Sequence, residues 1–118
     1  MNKEIADKVV KELRNGNNKQ GKGSLRNFED EFCCLGVMCM IAVEEGIIKK
    51  PRKNTKTGEY EFGEDKKTGT LPQAVVEWAG VKSAYVAIPD GGTLMSLNDS
   101  GKTFEEIADV IEKYYEKL

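Results

Sequence analysis

Cys33-Cys34-Leu35-Gly36-Val37-Met38-Cys39-Met40-Ile41-Ala42-Val43-Glu44-Glu45 is the most apolar run in the chain, and its reading sets the rest. Thirteen residues are too many for a typical strand and suit a buried helix, which Gly46 ends. Gly36 inside such a helix costs about 1 kcal/mol against Ala, so it marks a place where another backbone comes close. The run holds all three cysteines, Cys33, Cys34 and Cys39. An odd number crowded together is not a secreted disulfide framework, and three thiolates fall short of a closed zinc site. Within an apolar helix they read as small buried hydrophobes with reduced thiols.

Towards the N-terminus, residues 3–14 place Ile5, Val9, Val10 and Leu13 on one helical stripe, stopped by Asn15-Gly16. Residues 17–24 are polar and glycine-rich, and residues 24–32 read as a short strand or extended entry to the apolar helix. Towards the C-terminus, residues 47–63 read as a hairpin turning at Asn54–Gly58, with Tyr60 and Phe62 on one face. A charged loop covers residues 64–70. Leu71-Pro72 opens a helix with proline in the permitted first turn, carrying Val75, Val76 and Trp78 to Gly80. Ser83 to Ile88 is β-like, Thr93 to Leu97 a helical turn, and Asn98-Asp99-Ser100-Gly101 a break. Thr103 with Glu106 forms a capping box for a last helix whose buried face is Phe104, Ile107, Ala108, Ile111 and Tyr115. Phe28, Trp78 and Tyr85 are expected in the core. The expectation is an α+β fold: residues 1–118 as a single compact domain, with at least four helical segments and a small antiparallel hairpin.

The chain has 118 residues, 39% hydrophobic and 32% charged, which matches one core with a large solvated surface. Eighteen Lys and Arg against twenty Asp and Glu give a net charge of −2, without the basic excess of a general nucleic-acid binder. There is no histidine. That excludes Ser/His/Asp and Cys/His catalysis, histidine-containing zinc sites and a histidine pH switch. Met1-Asn2-Lys3-Glu4-Ile5 lacks an apolar signal core, and no run approaches a membrane span. The expected location is cytoplasmic, with no metal, no cofactor and no membrane contact.

Two segments imitate a phosphate-binding P-loop. Gly16 to Gly23 fits G-x-x-x-x-G-K but has glycine where the metal-binding Ser or Thr belongs, and it follows a helix. Ser100-Gly101-Lys102-Thr103 has the motif's tail without its first glycine. Simpler physics still suits an anion in both places, because glycine-rich backbone exposes N–H donors and a helix N-terminus is partially positive. The 19–26 segment reads equally as a solvated loop or as an anion-binding one. In the second case Lys19, Lys22 and Arg26 neutralise phosphate and the backbone of Gly21 and Gly23 approaches it. Gln20, Asn98 and Asp99 then recognise base or ribose edges, provided that the two segments meet.

Four blocks carry a resemblance: Lys19–Arg26, Cys33–Cys39, Leu71–Gly80 and Leu97–Asp109. With these the chain resembles a family of short proteins from bacteriophages and prophages. Met40 departs from it, since a polar residue is expected after Cys39. The resemblance implies a phage origin, an accessory role outside the virion, and the host-cell cytoplasm as location. By size and setting it suits a non-enzymatic anti-defence sponge that sequesters a nucleotide-derived immune signal, either a cyclic nucleotide or an ADP-ribose derivative. A homo-oligomer is compatible with that role. The alternatives are an interaction module that inhibits a host protein through its apolar and acidic faces, and a nucleic-acid binder using residues 14–26 and Lys49-Lys50-Pro51-Arg52-Lys53.

Overall fold

The computed structural model describes residues 1–118 as five α-helices, a terminal 3-10 turn and one two-stranded antiparallel ladder, an α+β fold. The helices are α1 (Lys3–Arg14), α2 (Cys34–Glu44), α3 (Gln73–Ala79), α4 (Leu94–Asp99) and α5 (Phe104–Tyr114). Strands β1 (Arg52–Lys53) and β2 (Tyr60–Glu61) pair with Arg52 opposite Glu61 and Lys53 opposite Tyr60. One contiguous cluster of 28 buried hydrophobic residues makes a single core. No helix is long and apolar enough to cross a membrane.

The apolar run is the central helix α2, buried from Cys34 to Cys39 and again at Ile41 and Ala42. It has almost no polar face because other elements cover it on several sides. Helix α1 lays Ile5, Ala6, Val9, Val10 and Leu13 inward against α2 and α5. Asn2 caps it by accepting from the Ile5 N–H at 3.2 Å. Helix α5 contributes Phe104, Ile107, Ala108 and Ile111, and starts at the Thr103–Glu106 capping box expected from its sequence. Arg14 on α1 ties the two helices on the outside, lying 2.6 Å from both Asp109 and Glu112 and 3.4 Å from Glu105.

Several expectations change in three dimensions. Cys33 is the N-cap of α2 rather than its first residue, its Sγ accepting from the Gly36 N–H at 3.4 Å. Residues 24–32 form no strand, only isolated bridges from Phe32 to Gln20 and Arg26. Pro72 precedes α3 as its N-cap. The Ser83–Ile88 run is not a strand: Val86 turns the chain at φ 58°, a strained setting for a β-branched residue, with its side chain fully buried. Asn98 and Asp99 belong to the last turn of α4 instead of breaking it. Phe28 and Tyr85 are 65% and 54% exposed and so lie outside the core, whereas Trp78 packs against it.

Candidate functional site

The two glycine-containing segments do meet, and the residue joining them is Asn98. Its side chain is fully buried. Its Oδ1 accepts from Gln20 Nε2 at 2.9 Å and from the Cys34 N–H at 3.1 Å. Its Nδ2 donates to the Gly21 carbonyl at 2.8 Å. Next to it, Asp99 Oδ1 accepts from the Gly23 N–H at 3.0 Å. Gln20 also donates to the Lys102 carbonyl at 2.8 Å, and Gly21 donates to the Phe32 carbonyl at 2.8 Å. The carboxamide that was expected to read a base therefore binds loop 19–26 to the N-terminus of α2 and the end of α4. A carboxylate of the chain itself occupies the backbone donor expected to meet a phosphate.

The cations of this segment divide in the same way. Lys19 pairs with Glu31 at 3.3 Å. Arg26 lies 2.7 Å from Asp30 Oδ1, with its guanidinium 4.0 Å from the Tyr60 ring centre and 5.3 Å from that of Phe32. Stacking and pairing hold it against Tyr60 of the ladder. Lys22 alone stays exposed and without an ion pair, reaching over Gly101. Residues 19–26 and 98–102 thus form a structural clasp in which Lys22 is the one free cation.

The cysteines are buried and inert. Burial raises the Cys33 thiol from its ordinary 9.0 to about 11 and lifts Cys34 and Cys39 in the same direction. None of the three is a thiolate at neutral pH, and Cys34 Sγ donates to the Leu94 carbonyl at 3.5 Å.

A second site lies at the ladder, and the clasp reading does not contain it. It is a groove of about 920 Å³. Part of its lining is the chain leaving α2, where buried Ile48 anchors the exposed Lys49 and Lys50 ahead of Arg52 on β1. Glu61 on β2, beside Arg52 across the ladder, the loop Gly63–Lys66, and Gln73 and Ala74 in the first turn of α3 complete the lining. The loop is pinned at its base by paired hydrogen bonds between Phe62 and Lys67, 2.8 and 2.9 Å. Gly63 has φ 75°, and a Cβ there would stand 2.7 Å from Pro72, so only glycine fits. Asp65 Oδ2 accepts from the Gln73 N–H at 3.0 Å, fixing the loop to α3. Lys66 is held at φ 52° in the left-handed region.

The groove's charges are unevenly satisfied. Lys49, Lys50, Arg52 and Lys66 take no part in any of the chain's nine ion pairs. Glu61, Glu64 and Asp65 line the same groove, so the four cations exceed the acids by one, and cations free of ion pairs favour an anion there. The volume falls in the range of roughly 300–1,000 Å³ typical of small-molecule sites. The basic run at 49–53 carried this signal in the sequence. The loop at 63–66 did not, because charged turns are common and nothing local says which groove a turn borders.

Over residues 1–115 the chain matches the model of a family described as Domain of unknown function (DUF8296). No curated protein and no solved structure matches it.

Proposed function

We propose that this chain, which belongs to the DUF8296 family, is a non-enzymatic protein that binds and sequesters a nucleotide-derived signalling molecule, a cyclic nucleotide or an ADP-ribose derivative. In a phage setting such capture withholds an immune signal from its host receptor. The observation that carries this reading is the groove with its four unpaired cations, Lys49, Lys50, Arg52 and Lys66. Phosphate charges on the ligand supply the partners these side chains lack, and Arg52 adds a planar donor fork suited to phosphate oxygens. A pinned loop and a capped helix make the groove preformed, which reduces the ordering cost of binding. A sponge must outcompete a receptor, so its dissociation constant belongs in the nanomolar range, about −12 kcal/mol.

The same basic run would suit nucleic acid, but Glu61, Glu64 and Asp65 in the same lining repel a continuous phosphate backbone. A compact ligand meets the cations without meeting all the acids, and this favours the small molecule.

The test is incubation of the protein with a panel of cyclic oligonucleotides and ADP-ribose derivatives, then filtration, heat denaturation and mass identification of what is released. One intact compound at stoichiometric yield from the native chain, and at least tenfold less from Arg52→Ala/Lys66→Ala, is expected. An empty panel from folded protein, or equal yield from the double variant, overturns the proposal.

A further inference from the structure

The groove carries both signs of charge. Lys49, Lys50, Arg52 and Lys66 line it together with Glu61, Glu64 and Asp65, and Arg52 is the register partner of Glu61 in the ladder. A site for phosphate alone has no use for three carboxylates, since each weakens the field the cations make. Two of the three already have protein partners. Asp65 caps α3, and Glu61 Oε2 accepts from Asn54 Nδ2 at 3.3 Å. Glu64 has none, and it is exposed on the pinned loop.

An ionised carboxylate only accepts hydrogen bonds, so its complement on a ligand is a donor. Vicinal ribose hydroxyls offer two donors at the spacing of the two carboxylate oxygens, and acidic side chains take ribose hydroxyls in this way in dinucleotide sites. The two ligand classes differ here. In a 3′,5′-linked cyclic nucleotide one hydroxyl of every ribose is esterified and no vicinal pair remains. An ADP-ribose derivative keeps a free pair beside a diphosphate.

We infer that the groove takes a nucleoside diphosphate with a free ribose 2′,3′-diol, its phosphates on Lys49, Lys50 and Arg52 and its diol on Glu64. This inference rests on the groove being the anion site. Calorimetric titration of the full chain and of Glu64→Gln with ADP, 2′,3′-dideoxy-ADP and inorganic pyrophosphate tests both levels. The native chain should bind ADP at least tenfold tighter than the dideoxy compound. In Glu64→Gln that gap should close to within twofold, while pyrophosphate binds as tightly as before or slightly tighter. Equal binding of ADP and dideoxy-ADP by the native chain, with pyrophosphate still bound, overturns the diol and leaves the anion site standing. A gap that persists in Glu64→Gln overturns the role of Glu64. No binding of any of the three overturns the inference and the anion site together.

Discussion

The backbone of Leu25 lies against Gly36 so closely that a Cβ on the glycine would stand 2.7 Å from the Leu25 carbonyl carbon and 3.1 Å from its Cα. This contact seats the chain leaving loop 19–26 on the first turn of α2, where both Leu25 and Gly36 are buried. Backbone cannot move aside as a flexible side chain can. Gly36→Ala should therefore cost about 3 kcal/mol, the upper part of the overpacking range, despite alanine's better helix propensity. Urea unfolding of the variant checks this, and a midpoint at or above that of the native chain would show that the contact yields.

Asn98 should be nearly as sensitive, for a different reason. Truncation by Asn98→Ala leaves the Cys34 N–H, the Gly21 carbonyl and the Gln20 amide without the partner they share. A buried polar group left unmade costs about 1–3 kcal/mol, so a total loss of about 2–4 kcal/mol is expected. Hydrogen exchange should locate the damage: the amide of Cys34 should lose protection while those of α1 keep theirs. Uniform loss across the chain would mean that Asn98 holds the whole fold and not the clasp alone.

Why the groups at Asn98 were legible in the sequence and their role was not follows from the same contacts. The periodicities of α1 and α5, the Thr103 cap and the apolar run of α2 are local signals, and each appears in the structure within a residue or two. The glycine in α2 also announced a close backbone, and Leu25 is that backbone. Polar residues in a glycine-rich loop look alike whether they face a ligand or each other. Gln20 and Asn98 are 78 positions apart, and only tertiary packing decides that they satisfy each other. Phe28 and Tyr85 failed as core residues for the converse reason, because large aromatic side chains carry no sequence mark of the loop conformation that leaves them outside. The groove combines both cases, since Lys49, Lys50 and Arg52 are a run of neighbours while Glu61 and residues 63–66 join them only through the hairpin.

Cys33 offers a test in the alkaline range. Its thiol titrates near 11 in the folded chain, above its ordinary 9.0, because burial disfavours the thiolate. A raised folded value means that its contribution to stability is complete below pH 9 and is lost as pH rises through 11. That share is about 2–3 kcal/mol, and Cys34 and Cys39 act in the same direction. Cys33→Ser keeps an acceptor for the Gly36 N–H, and serine is the better N-cap. The variant should match or exceed native stability at pH 7 and lose less of it by pH 10.5, as measured by urea unfolding at both values. Parallel pH profiles for the two proteins would mean that Cys33 does not titrate as its burial requires.

Lys66 separates stability from binding. Its φ of 52° costs a lysine roughly 1 kcal/mol or more, and glycine adopts it freely at an entropic cost of about 0.5–1 kcal/mol. Lys66→Gly should therefore leave stability unchanged or raise it by up to about 1 kcal/mol. The same change removes one of the four unpaired cations of the groove, so anion affinity should fall about five- to tenfold, the effect of one charge-assisted contact of about 1–1.5 kcal/mol. Lys66→Asn tolerates the left-handed backbone too, since asparagine populates it several-fold more often than most residues, and should lose the same affinity. Two variants of different backbone cost with one shared binding defect would place the effect in the ammonium group. If both bind pyrophosphate as the native chain does, Lys66 is outside the site and its strained backbone serves only to close the loop between Gly63 and Lys67.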